Sequence, residues 1–381
     1  MSSITPEQIR EIEARIRSET GKWLLGLEEP IQQLVRSLFV LIPYTDKITG
    51  VKSLGQPNIQ FASRTGIGKT DMIESLSMCI EAKSSRIQGT PDLQPHDFIG
   101  DYVFVENARG ERTLRFVPGK IYAHIVKIDE ANRARPQAKA GLLEALEEHS
   151  ITPLHEHVDI GDGQDRMFQK MPLFPVSGRY DDFDGPRFFM TLSTQNVYGE
   201  EEGAYDSPMA EIDRTTLVIP IRRPSFEKEL QITSKNVVGK KIQKVTDLYE
   251  ILEAAQFIHD NVKIHDRALE YRTRLIRNTD PEALMYDVSH GLKISPKLVE
   301  YVTSHIEVGV SPRVEFHFEA IARVHAFFEG SMVVKPEHFK AVAGQVLAHR
   351  VKLLQKKARK VRREDAFSYV LKETEVPPWA G

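Results

Sequence analysis

Apolar residues recur at helical spacing from the start of the chain. In "ITPEQIREIEARIRSE", Ile9, Ile12 and Ile16 share one face of a helix that Thr5 caps, with Pro6 in the first turn and Gln8 completing a capping box. From about Asn58 the texture alternates. An apolar strand, "NIQFA", leads into a glycine loop and a helix from Thr70 to about Ala82. After a long excursion come an apolar strand "IYAHIVKID", a helix with leucines in "AGLLEALEEH", a strand in "RFFMTLST" and another in "TTLVIPI". Strands that are apolar along most of their length and alternate with helices predict a parallel sheet covered on both faces. After Arg223 the spacing is helical in "DLYEILEAAQFIHDNVKI", "SPKLVEYVTSHIEV", "PRVEFHFEAIARVHAFFEG" and "KPEHFKAVAGQVLAHRVKLL". The expected organisation is therefore an α/β domain over residues 1–223 and an all-helical domain over 224–381, joined near "RRPSFEKE".

Composition narrows the function classes. A net charge of -3 over 381 residues weighs against a protein built mainly to grip nucleic acid or an anionic membrane, since either favours a basic excess. The single cysteine, Cys79, excludes an internal disulfide and an all-cysteine metal cage, and its apolar helical setting in "IESLSMCIEA" reads as a small buried thiol. There is no basic start followed by an apolar core and cleavage site, and no apolar run of about 18 residues, so a cytoplasmic protein without a membrane span is expected.

The candidate chemistry begins at "SRTGIGKT", Ser63 to Thr70, close to the phosphate-loop pattern G-x-x-x-x-G-K-[ST]. In such a loop, backbone N–H groups from Thr65, Gly66, Ile67 and Gly68 curl around phosphates at a helix N-terminus. Gly68 permits close backbone approach, Lys69 supplies a point charge, and Thr70 supplies a hydroxyl for magnesium. Ser63 replaces the first glycine at the junction of strand and loop, where its Cβ affects geometry or affinity rather than identity. The implied ligands are ATP and Mg2+.

Hydrolysis needs a carboxylate for the metal and a group to orient the attacking water. "IVKIDEANR" supplies Asp129 for the metal and Glu130 as general base, at the end of an apolar strand about 60 residues after the loop. Lys127 inside that strand is unusual and implies local packing that is not fully apolar. Asn196, ending the strand in "FFMTLSTQN", is placed to touch the attacking water and report the γ-phosphate; a capped turn is its plainer reading.

Taken in order, "SRTGIGKT", "QGTPDLQPHDFIGDYVF", "RFVPGKIYAHIVKIDEANRARPQAKAGLLEALEE", "LSTQNVYGEEEGAYDSPMAEIDR", "VGVSPR" and "VLAHR" resemble the MoxR family of AAA+ ATPases. The resemblance spans Gln56 to Arg350. It implies an AAA+ P-loop domain, with a parallel sheet flanked by helices, followed by a helical lid. It also implies a homo-oligomeric ring, usually a hexamer, that works as a chaperone-like motor on protein clients. Relatives often act with a partner carrying a von Willebrand factor A domain, sometimes to insert metal cofactors. By the same resemblance, Arg214 in "EIDR" is the arginine finger entering a neighbour's site and Arg313 in "SPR" is the lid arginine sensing the γ-phosphate. A guanidinium supplied in trans stabilises the charge spread over the transferring phosphoryl group. Without the resemblance, a local salt bridge to Asp213 or Glu211 and a solvated helix-start arginine are the plainer readings of these two.

Two further segments stand out, and of these only residues 151–187 depart, with Ser63, from the family pattern. Residues 89–120 include the hairpin "DYVFVENARGERTLRFVPG", which the resemblance makes the insert within helix two, with Tyr102, Phe104 and Arg115 as candidate client contacts. Residues 151–187 form an insertion longer than most relatives have, with Asp-Gly and Gly-Arg turns; within it His155 and His157 are too few for a closed metal site. The basic stretch "KLLQKKARKVRRED" suits a solvated helix face, with an acidic partner or nucleic acid as the alternative. Two competing functions remain open: a nucleic-acid motor of the same clade, and a nucleotide-gated scaffold that does not hydrolyse.

Overall fold

The structure, a computed structural model, describes residues 4–63, 67–106, 110, 112–152, 157–158, 166–167, 170–175, 183–196, 209–234, 241–358 and 360–376. The chain divides into two compact units, one of residues 1–35, 43–207 and 219–253 and one of residues 36–42, 208–218 and 254–381.

The first unit opens with α1 (Pro6–Thr20), whose capping box forms as the sequence predicts. Gln8 N–H donates to Thr5 Oγ1 at 3.3 Å, and Thr5 N–H donates to Gln8 Oε1 at 2.8 Å. Ile9, Ile12 and Ile16 are buried, and α1 packs on α2 (Lys69–Cys79). Helix α2 is shorter than its apolar pattern. It stops at Cys79, and Glu81, at a left-handed φ of 52°, turns the chain out of helical geometry. Cys79 is fully buried, its thiol pushed up to about 11 by desolvation, with Sγ donating to Leu76 O at 3.2 Å. The inert buried thiol is what the structure shows.

Five strands make the parallel sheet: β1 (Asn58–Ser63), β2 (Ser84–Gln88), β5 (Ile125–Asp129), β6 (Met190–Asn196) and β7 (Leu217–Pro220). Between β2 and β5 a separate antiparallel hairpin pairs β3 (Gly100–Glu106) with β4 (Arg112–Pro118). The spatial order is β7-β1-β6-β5-β2, so strands distant in sequence are neighbours. The "IYAHIVKID" and "RFFMTLST" runs are longer than the strands they yield. Pairing begins only where partners exist on both sides, with Ile125 opposite Ser84 and opposite Met190. Residues outside that register, Ile121–His124 and Phe188–Phe189, are still buried and extend the core outside the strands. Helix α3 (Pro136–Glu148) starts on a proline suited to its first turn and stops at His149, φ 51°. Its Ala138, Leu142 and Ala145 join Val126, Ile128, Phe98 and Phe189 in one apolar cluster.

The second unit is helical, as expected. It contains α4 (Met209–Arg214) and most of α5 (Leu248–Asn261). Then come α6 (Asp266–Arg277), α7 (Pro281–Ser289), α8 (Pro296–His305), α9 (Val314–Phe328), α10 (Pro336–Leu347) and α11 (Arg363–Glu373). Helical periodicity does not reveal two short strand pairs at the chain reversals: Lys263–Ile264 with Val333–Val334, and Ile306–Val308 with Lys352–Leu353. Helices α9 and α10 meet through Phe318 and Phe339, edge to face at 4.8 Å between centroids.

Candidate nucleotide site

Strand β1 ends on Ser63, which is fully buried and lies opposite Asn196 in the register with β6. Ser63 is thus part of the sheet. Of the predicted phosphate loop, Thr65 and Gly66 lie outside the described residues. The chain resumes at Ile67 and Gly68, and Gly68 takes a left-handed φ of 72° as the N-cap of α2. The left-handed backbone favours glycine, and a Cβ there would press on Leu24 Cδ2 at 3.2 Å. Lys69 and Thr70 follow in the first turn of α2, where N–H groups without intrahelical partners concentrate positive potential.

The carboxylates lie at the end of β5. Asp129 is 7 % exposed, and its two oxygens are both engaged. Oδ1 accepts from Thr194 Oγ1 at 3.1 Å, while Oδ2 accepts from Arg86 Nε at 2.7 Å and from Lys127 Nζ at 2.9 Å. Lys127, two residues earlier on the same strand face, is 5 % exposed and also donates to Thr70 Oγ1 at 2.8 Å. The sequence marked Lys127 as a break in apolar packing, and it faces the predicted metal ligands. A single ammonium therefore joins Thr70 to Asp129. Glu130 follows in a left-handed backbone, φ 52°, a conformation that costs free energy in a non-glycine residue. Its N–H donates to Thr194 Oγ1 at 3.2 Å, its Oε2 accepts from Gln88 Nε2 at 3.2 Å, and Arg133 Nη1 lies 3.5 Å from Oε2.

Hydroxyl and carboxylate oxygens are the donors magnesium favours, and the cation already held between Thr70 and Asp129 shows that positive charge suits this position. The residues present fit the metal.

Four neighbours were not picked out from the sequence. Thr194 carried a signal, because it is two residues before Asn196 and alternation puts both on one strand face. Gln88 and Gly89 open the "QGTPDLQPHDFIGDYVF" run, though nothing in that run pointed to the carboxylates, and Arg86 carried no signal. All three reach Asp129 and Glu130 only through the β2–β5 register, in which Arg86 faces Lys127 and Gln88 faces Asp129. Asn196 ends β6 as expected, but its side chain lies outside the described residues.

Arg214 and Arg313 belong to the second unit. Arg214 ends α4, and the carbonyls on either side of it are bound by Arg350 of the "VLAHR" motif. Arg350 is 1 % exposed; its Nη2 donates to Thr215 O at 2.6 Å, to Asp213 O at 3.3 Å and to His317 Nδ1 at 3.0 Å, and Nη1 donates to Val346 O. Burial, with Arg350 and Arg313 nearby, holds His317 down at about 3, so its neutral ring accepts that bond. Arg313 is exposed at the N-cap of α9.

On the β3–β4 hairpin Tyr102 packs on Phe116 at 5.1 Å between centroids, whereas Phe104 is 73 % exposed between the exposed Val103 and Val105. The side chain of Arg115, all of His155 and the side chain of His157 lie outside the described residues.

The profile of the ATPase family associated with various cellular activities (AAA) matches residues 59–162, and that of the AAA lid domain matches residues 300–368. Chaperone MoxR1 of Mycobacterium tuberculosis is 29% identical over 340 residues, 86% of this chain and 78% of its own length. Protein MoxR of Paracoccus denitrificans is 26% identical over 81% of this chain and 83% of its own length. The chain is similar to the MoxR family of AAA+ ATPases. The fold also matches a solved structure from Cytophaga hutchinsonii, provisionally named an ATPase, with a TM-score of 0.72 at 24% identity, covering 98% of this chain and 97% of that one. Among the described residues, no helix of this chain is long and apolar enough to cross a membrane.

Proposed function

We propose that this MoxR-like chain binds and hydrolyses ATP in a cytoplasmic homo-oligomeric ring, hexameric as the family resemblance implies, and uses the cycle to remodel or mature protein clients. A nucleotide domain over 1–223 and a lid over 224–381 are the working parts. The observation that carries the reading is the convergence of Lys69, Thr70, Asp129 and Glu130 at the carboxyl ends of β1 and β5, where open parallel sheets bind their ligands. Thr65 through Thr70 cradle the phosphates, and Thr70 and Asp129 hold Mg2+. The metal, when bound, neutralises charge on the β and γ oxygens. Glu130, held by Gln88 and Arg133 beside the site, orients the attacking water and takes its proton. Asn196 contacts that water, Arg214 completes a neighbour's site, and Arg313 reads the γ-phosphate.

The exposed Val103-Phe104-Val105 run on the hairpin is the surface best suited to an apolar client segment, alone or with a von Willebrand factor A partner. Phosphate release measured against protein concentration tests the reading. Specific activity should rise with concentration in the wild type and be lost in Glu130→Gln and Arg214→Ala. Nucleotide binding without phosphate release at any concentration would replace the motor with a nucleotide-gated scaffold.

A further inference from the structure

The Thr70–Asp129 pair is already bridged by a charge of the chain's own. Lys127 is nearly as buried as the core around it, yet its ammonium lies 2.8 Å from Thr70 Oγ1 and 2.9 Å from Asp129 Oδ2. These are the same two oxygens that the proposed function assigns to magnesium, and the inference rests on that reading. Arg86 adds a second cation at 2.7 Å from Asp129 Oδ2, so one carboxylate faces two positive side chains before any metal arrives. An ammonium and a divalent ion cannot share this position. Their repulsion in a partly desolvated cleft is strong, and the metal must come within coordination distance of oxygens that Lys127 now occupies.

We propose that Lys127 is a built-in cation at the magnesium position, occupying it in the absence of metal and displaced when magnesium enters. Two consequences follow from that exchange. Metal-free nucleotide binds better than it would to an otherwise identical site, because Lys127 keeps Asp129 from repelling the phosphates. Magnesium then adds less affinity than usual, because each metal bound must first break the Lys127 contacts. The lysine makes the engine less dependent on metal for holding nucleotide and leaves the metal's role to hydrolysis.

The test compares wild type with Lys127→Met, which keeps length without charge, and Lys127→Gln, which keeps a hydrogen-bond donor in case the methionine protein does not fold. Affinity for fluorescently labelled ADP is measured in excess EDTA and in excess Mg2+, and Mn2+ is titrated into nucleotide-free protein by electron paramagnetic resonance. Removing one close, charge-assisted contact should raise the ratio of metal-bound to metal-free ADP affinity by on the order of tenfold in either variant, and tighten Mn2+ binding by a similar factor. Equal ratios and equal Mn2+ affinities in wild type and variants overturn the role of Lys127 while leaving the nucleotide site standing. A wild type that binds no ADP under either condition sinks the nucleotide reading and this proposal together.

Discussion

Gly89 offers the sharpest perturbation of the carboxylate pair without touching either carboxylate. It follows β2, and its N–H donates to Asp129 O at 2.7 Å. A Cβ added there would stand 2.2 Å from Glu130 O, 2.8 Å from Glu130 C and 3.0 Å from Asp129 O. All three are backbone atoms, so no side chain can swing aside to make room. Restoring ordinary contact requires a displacement of about 1 Å of the Asp129–Glu130 backbone, and a misplacement of that size at a reacting group costs roughly a hundredfold in rate. Gly89→Ala should therefore lower kcat for phosphate release by about a hundredfold, with a stability loss of about 1–3 kcal/mol from the overpacking. The three atoms nearest this Cβ all belong to Asp129 and Glu130 rather than to the phosphate loop, so affinity for fluorescently labelled ADP should stay within a few-fold of wild type. Steady-state phosphate release, ADP titration and urea unfolding on the same preparation separate the three quantities. A Gly89→Ala protein that hydrolyses ATP at the wild-type rate would refute the placement of Glu130 as the residue whose position sets turnover.

Two further expectations concern stability. Arg350→Met removes a buried guanidinium that binds the carbonyls of Val346, Asp213 and Thr215 and the ring of His317; losing this shared donor, with Thr215 O keeping a contact to His349 Nε2, should cost about 3–5 kcal/mol, read as a lower urea midpoint, and an unchanged midpoint would show that the carbonyls find other donors. His149 is buried, and burial, helped by Arg187, holds it down at about 4 against 6.5 in the unfolded chain. The folded state therefore binds fewer protons than the unfolded state below about 6.5. Stability is fully present above that pH and is lost as pH falls toward about 4, by on the order of 3 kcal/mol from this one group. Urea midpoints taken between pH 7.5 and 4.5 should fall in the wild type, and fall less steeply in His149→Asn, which tolerates the left-handed backbone; parallel slopes would sink this assignment.

Much of the nucleotide unit was legible in short windows of sequence. The capping box at Thr5 and Gln8, the glycine before α2, the carboxylates ending β5 and the amide ending β6 are each specified within a few residues. Helices and strands must satisfy their own backbone groups and turn one apolar face inward, so local pattern is enough to mark them. Element ends were less legible. The strand in "IYAHIVKID" begins at Ile125 only because Ser84 and Met190 stand opposite it, and neither is nearby in sequence.

Tertiary structure alone decided how the site is wired. Lys127 read as an oddity in an apolar strand, and its meaning lies in Thr70, 57 residues earlier. Arg86 meets Asp129 across 43 residues and Thr194 meets it across 65, through a sheet whose spatial order is not its chain order. Gly89 is only one residue of a longer motif until the backbone of Glu130 is placed against it. No sequence window contains these pairs, because parallel pairing brings strands together only after long crossovers have formed. The sequence by itself therefore determined which chemical groups this protein carries and on which kind of element each one sits. Packing of the sheet determined which of them touch, and so placed a lysine of the chain at the position proposed for the metal.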